Sequence, residues 1–164
     1  MGRWRPPSPR ASPYITADGY RRLESELSEL WKRRAEVTKA LSAAAAEGDR
    51  SENAEYIYRK KELRELDRRI RYLQKRLPDL HVVTESPIER TRVFFGAWVT
   101  LEDSQGREIE YRIVGPDELD PGGGHVSMDS PLARALLKKA VDDEVLVRTP
   151  AGESHYFITG VRYD

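Results

Sequence analysis

The chain has 164 residues with 28 Lys+Arg, 28 Asp+Glu, three His and no Cys, and 38% of it is hydrophobic. The absence of cysteine excludes a disulfide framework and thiolate chemistry, no apolar run approaches the ~20 residues of a membrane helix, and the N-terminus lacks the apolar stretch of a secretory leader, so a cytoplasmic protein is expected. A charged fraction of 34% is too high for one compact globule and fits a long exposed helical element with a modest core.

The formal charge of zero hides an asymmetry. Residues 1–80 hold 19 Lys+Arg against 13 Asp+Glu, and residues 81–164 hold 9 against 15. A basic half joined to an acidic half points to an oriented, electrostatically guided partner; a salt-bridged helical surface without a partner is the alternative.

Residues 1–13 carry Pro6, Pro7, Pro9 and Pro13 with Arg3, Arg5 and Arg10, and are expected to form an extended, flexible tail. Thr16 stands where a helix N-cap belongs, with Asp18 in the first turn. Tyr20, Leu23, Leu27, Leu30, Val37, Leu41 and Ala44 then step mostly by three and four, interrupted by Arg34, and predict a coiled-coil seam. Gly48 is placed to stop that helix. A second seam runs through Leu63, Leu66, Ile70, Leu73, Leu77 and Leu80, with Pro78 marking its exit. Two such helices joined by a short break predict an antiparallel hairpin over 14–80. At 1.5 Å per residue, an arm of roughly 28 residues is on the order of 40 Å long.

Residues 81–90 read as a linker, and 91–164 as a small α+β domain, an antiparallel sheet with one helix laid over it. Its strands are expected at 93–101, 109–114, 145–147 and 156–158, and its helix from Pro131 to Lys139 with Ser130 as cap. Phe94, Phe95 and Trp98 are expected in the core, with a pocket lining as the alternative.

One constellation stands out as chemical. The break at 48–56 holds Asp49, Glu52 and Glu55 at intervals of three, which puts carboxylates on one face at a helix start. Mg²⁺ takes one or two protein carboxylates and keeps several waters. Asp49 and Glu52 are too few to hold the ion alone, yet suffice to complete a site whose other ligands belong to a partner. That would supply a second metal for chemistry on phosphodiester bonds. A capping box, with Asp49 as N-cap and Glu52 three residues in, also fits these residues. Beyond the break, residues 59–76 hold nine basic side chains against three acidic ones, and Arg59, Lys60, Lys61, Arg64, Arg68 and Arg71 are candidates for phosphate contact; a solvated, ion-paired face is the alternative. The three histidines lack metal-ligand spacing, and Gly122-Gly123-Gly124 lacks the Lys and Ser/Thr of a phosphate cradle.

The words Gly48-Asp49-Arg50-Ser51-Glu52-Asn53-Ala54-Glu55-Tyr56, Val93-Phe94-Phe95-Gly96-Ala97-Trp98-Val99, Tyr111-Arg112-Ile113-Val114-Gly115, Asp129-Ser130-Pro131-Leu132-Ala133-Arg134-Ala135-Leu136-Leu137-Lys138-Lys139 and Thr149-Pro150-Ala151-Gly152-Glu153 resemble, in order, the bacterial GreA/GreB transcript cleavage factors. The resemblance covers roughly residues 14–163. It implies a coiled-coil domain that enters the secondary channel of RNA polymerase and an FKBP-like domain that docks at its rim, on a coiled coil of the largest subunit. It further implies that the tip assists Mg²⁺-dependent cleavage of backtracked RNA at the polymerase's own active centre. Carried across, Asp49 and Glu52 are the metal-assisting pair, and Ser51 and Glu55 have supporting roles. Ser127, Asp129 and Pro131 belong to the docking surface, and residues 59–76 fit a basic face that holds the extruded RNA 3′ end. The protein is then a monomer that activates another enzyme. A channel-binding regulator without cleavage activity, and a prolyl isomerase argued from the FKBP-like fold alone, are the competing functions.

Overall fold

The computed structural model describes residues 10–47 and 53–163. Two units emerge: Asp18–Leu80 forms one, and the described residues up to Ala17 join His81 and everything after it in the other.

The first unit is the helical hairpin. Helix α1 spans Ala17–Ala45 and α2 spans Ala54–Arg76. Leu23, Val37 and Ala44 of α1 and Ile70, Leu73 and Leu77 along α2 and its exit are buried, as the seam spacing requires. Arg34, the interruption in the first seam, donates to Asp67 of the other helix at 2.6 Å. Arg33 donates to Glu62 at 2.8 Å and Arg69 to Glu26 at 2.9 Å. From Glu26–Arg69 to Arg33–Glu62 the numbers rise along one helix as they fall along the other, which is the antiparallel register. The second helix carries Glu55 in its first turn and Lys75 and Arg76 in its last, both favourable to the helix dipole. Pro78 ends it as expected, inside a single 3₁₀ turn over Leu77–Asp79.

The second unit is built on a five-stranded sheet. Its strands are β3 (Trp98–Asp103), β4 (Glu108–Val114), β5 (His125–Ser127), β6 (Glu144–Thr149) and β7 (Gly152–Arg162), in the order β5-β4-β3-β7-β6. Helix α3 spans Pro131–Leu136, capped by the Ser130 hydroxyl, which accepts from Ala133 N–H at 3.1 Å. The α+β class and the single helix agree with the sequence reading. The sheet itself is mixed, because β5 runs parallel to β4. The core gathers Val99 and Leu101, Ile113, Val145 and Ile158 from one face of the sheet with Ala133 and Leu136 of α3.

Three local differences have physical causes. Residues 93–97 are not strand: Gly96 takes a φ of 86°, Ala97 N–H bonds the Phe94 carbonyl at 3.1 Å, and Val93 exchanges bonds of 2.7 Å with Lys138 and Lys139. Helix α3 stops at Leu136, short of the expected Lys139, and Lys138 adopts a left-handed φ of 70°. Trp98 is not core. It points to the sheet's other face, where the guanidinium groups of Arg162 and Arg112 lie 4.8 and 5.7 Å from its ring centre, and Phe94 and Phe95 are only half-buried.

A two-stranded parallel sheet completes this unit. Strand β1 (Tyr14–Thr16) pairs with β2 (His81–Val83), Tyr14 opposite His81. Both lie in stretches that read as helix start and linker. Thr16 directly precedes α1, and its hydroxyl donates to Glu118 at 2.5 Å while its N–H donates to the same carboxylate at 2.8 Å. Gly115 N–H adds a third bond at 3.1 Å. A Cβ on Gly115 would sit 1.9 Å from the Tyr14 carbonyl oxygen, so only glycine lets β1 approach this closely.

Candidate functional site

The end of the hairpin at which α1 passes into α2 is organised by Asn53. Its side-chain carbonyl accepts from Tyr56 N–H at 3.2 Å as the N-cap of α2, and its amide donates to the Ala44 carbonyl of α1 at 2.8 Å. One side chain therefore satisfies an orphan donor at one helix start and ties that start to the other helix. The capping box built on Asp49 and Glu52 is not the device that starts α2, since the cap is Asn53. Asp49, Ser51 and Glu52 themselves lie outside the described residues. Glu55, the third acidic residue, accepts from Arg59 at 2.9 Å. Arg59 also donates to Glu62 at 3.1 Å, and Glu62 in turn accepts from Arg33 across the hairpin at 2.8 Å. The Glu55 hydrogen bond leads in raising the Arg59 guanidinium pKa above its ordinary value, and the Glu62 hydrogen bond leads in raising that of Arg33. Both cations are fixed within a network that crosses the two helices. Among the described residues no group of three or more His, Asp or Glu is arranged to hold a metal ion.

The basic residues of α2 divide by this pairing. Arg59 is committed to Glu55 and Glu62. Among the described residues, Lys60, Lys61, Arg64, Arg68 and Arg71 have no carboxylate within ion-pair distance. Positions 60, 64, 68, 71 and 75 follow steps of four, four, three and four, which places them on one face of the helix. The stripe runs about 22 Å. Lys60 lies 5.8 Å from the centre of the Tyr56 ring, and Ile57 on the same face is exposed. An unneutralised row of cations with aromatic and apolar neighbours suits a phosphate backbone.

In the sheet unit, the word Asp129-Ser130-Pro131 forms the turn from β5 into α3. Ser127 ends β5, and its hydroxyl accepts from Asp129 N–H at 3.1 Å. Ser130 N–H bonds the Ser127 carbonyl at 2.9 Å, and Pro131 takes the first helical position. Ser127, Asp129 and Pro131 are thus brought together in one rigid turn, and all three remain at least partly accessible. The Asp129 carboxylate receives two hydrogen bonds from Ser12, a contact across 117 positions that no local pattern signals. Asn53 does carry a signal, an Asn directly before a helical period, which the capping box at Asp49 obscures.

Comparison with known proteins covers nearly the whole chain. Residues 13–82 match the family model "Transcription elongation factor, N-terminal", and residues 88–163 match "Transcription elongation factor, GreA/GreB, C-term". A protein of Pseudomonas aeruginosa named transcription elongation factor GreB is 60% identical over 99% of this chain and 98% of its own. One of the same name from Xanthomonas axonopodis pv. citri is 58% identical with the same two coverages. Among solved structures, the GreA factor homolog 1 of Thermus thermophilus is 26% identical over 91% of this chain and 97% of its own, with a TM-score of 0.42. The assignment rests on the sequence matches.

Proposed function

From the premise that this chain belongs to the GreA/GreB family of transcription elongation factors, we propose that it enters the secondary channel of RNA polymerase and stimulates the polymerase's own Mg²⁺-dependent cleavage of backtracked RNA. The observation that carries the reading is the hairpin closed by Asn53. It joins α1 and α2 at Ala44 and caps α2, and the segment of the sequence between those two helices carries Asp49-Arg50-Ser51-Glu52.

The donor set fits a hard cation, since carboxylate oxygens are its preferred ligands. Asp49 and Glu52 supply two, short of the six that Mg²⁺ requires, which suits a site completed by the polymerase. When bound, the ion supplies charge neutralisation and an activated water. Ser51 and Glu55 support the pair; Glu55 is positioned by Arg59. The cations Lys60, Lys61, Arg64, Arg68 and Arg71 guide the extruded RNA 3′ end along α2, while Arg59 serves the hairpin's internal network. The turn with Ser127, Asp129 and Pro131 docks on the coiled coil of the largest subunit. No reaction is completed by this chain alone.

The test is cleavage of 3′-extruded RNA in a stalled, backtracked polymerase, with and without the protein, across Mg²⁺ concentrations. Asp49→Asn and Glu52→Gln are expected to abolish stimulation while leaving binding largely intact. Normal cleavage with either variant rejects the tip's role. Binding without stimulation by the unaltered protein would identify a channel regulator instead.

A further inference from the structure

Ser12 stands two positions before β1, within a stretch whose prolines promise only a tail. Its N–H donates to Asp129 Oδ2 at 2.9 Å and its hydroxyl to Oδ1 at 2.5 Å. Two donors from one residue engage both oxygens of one carboxylate. Such a two-point grip fixes the plane of the group as well as its position.

Both partners are held from behind. On one side the Pro13 carbonyl accepts from His81 N–H at 2.7 Å, Tyr14 pairs in register with His81, and Ile15 is fully buried. On the other, Asp129 N–H is fixed by the Ser127 hydroxyl at 3.1 Å, and Met128 N–H by the Val114 carbonyl at 2.8 Å. The grip therefore links two anchored segments and is no product of a loose chain end. Ser12 is half-buried, which shields the pair from competing water.

We infer that Ser12 is a positioning residue for polymerase docking: it locks the Asp129 carboxylate into the orientation in which the β5–α3 turn presents it. The inference rests on the docking reading of Asp129 given above. A carboxylate already frozen spares the partner the cost of ordering it, and that cost is borne whenever a mobile side chain is captured on binding. Losing the lock is expected to weaken docking roughly three- to tenfold.

The experiment measures affinity of the full-length protein for core RNA polymerase at fixed salt, by competition against a fluorescent copy. Five forms are compared: the unaltered protein, Ser12→Ala, Ser12→Thr, Asp129→Ala and the double variant Ser12→Ala/Asp129→Ala. Ser12→Ala removes the hydroxyl and keeps the main-chain N–H, so the carboxylate is left held at one oxygen and free to turn, and binding is expected to be three- to tenfold weaker. Ser12→Thr keeps both donors and should bind as the unaltered protein does. Asp129→Ala should weaken binding at least as much as Ser12→Ala, and adding Ser12→Ala to it should change nothing further, because the effect of the serine on docking is exerted through that carboxylate. Unchanged binding by Ser12→Ala, with Asp129→Ala weakened, overturns the inference and leaves the docking reading standing. Tighter binding by Ser12→Ala overturns it in favour of a serine that shields Asp129. An equal loss in both backgrounds reduces Ser12 to a structural role. If Asp129→Ala binds normally, the docking reading itself fails, and the role of Ser12 falls with it.

Discussion

Glu118 offers the sharpest test of how β1 is held to the turn that follows β4. It is 7% exposed and accepts three hydrogen bonds, from Thr16 N–H at 2.8 Å, the Thr16 hydroxyl at 2.5 Å and Gly115 N–H at 3.1 Å. One oxygen takes both N–H groups, and the other takes the hydroxyl alone. Glu118→Gln can place its amide nitrogen on the hydroxyl side, where Thr16 rotates to accept, and keep its oxygen for the two N–H groups. What it loses is the charge on the acceptor, about 2 kcal/mol in all, since bonds to charged groups contribute roughly twice as much as neutral ones. Glu118→Ala leaves two main-chain donors with nothing to bond and should cost about 4 kcal/mol. The assay is urea unfolding followed by Trp98 fluorescence in a Trp4→Phe/Trp31→Phe background. With a slope of about 2 kcal/mol per molar, the midpoint should fall by about 1 M for the glutamine and about 2 M for the alanine. Amide exchange at Thr16 and Gly115 should accelerate in parallel. An alanine variant within about 0.5 kcal/mol of the parent, or a glutamine more damaging than the alanine, would refute the reasoning.

Two further outcomes follow from the geometry. Asn53→Ala should lower the stability of the hairpin by about 1–2 kcal/mol through the lost cap, read as helical circular dichroism on heating. Asn53→Asp should recover the cap and not the bond to the Ala44 carbonyl; equal losses for the two would deny the cap its role, and an aspartate variant as stable as the parent would deny that bond one. The Tyr163 hydroxyl accepts from Phe94 N–H at 2.8 Å and donates to the Arg92 carbonyl at 2.5 Å. Burial pushes its pKa above the ordinary value, against a smaller lowering by Phe94 N–H. A raised folded pKa means that the contribution is complete below the unfolded value near 10 and is lost as pH rises through the folded one. Ultraviolet titration should therefore show one tyrosine ionising late, and Tyr163→Phe should remove that step; an unchanged titration curve contradicts the assignment.

The hairpin was legible because its information is local. Leu63, Leu66, Ile70, Leu73 and Leu77 repeat with the helical period, and a period needs only neighbours along the chain to express it. Pro78 and Pro131 mark one helix end and one helix start by the same local logic. The acidic word between the helices, Asp49 and Glu52, lies outside the described residues, and α2 begins only after Asn53. Strands β1, β2 and β5 were not legible. Each is three residues long, too short for alternation to register, and each exists only because a remote segment supplies its hydrogen-bonding partner.

The cation stripe shows the same division within one helix. Composition counts Arg59 with Lys60, Lys61, Arg64, Arg68 and Arg71; Arg59 pairs with Glu55 and Glu62 four and three residues away on its own helix, the register of α1 against α2 adds Arg33 to that Glu62, and the others have no carboxylate partner among the described residues. Trp98 likewise has a hydrophobic ring, and the choice of sheet face that lays it between Arg112 and Arg162 is a choice of strand register. The chain alone determined which long segments are helical and where one gives way to the next. Tertiary structure decided that Arg33 of α1 shares Glu62 with Arg59 and which oxygen of Asp129 faces which donor. Those outcomes depend on contacts between positions as far apart as 12 and 129, where many pairings are equally compatible with local pattern and packing selects one.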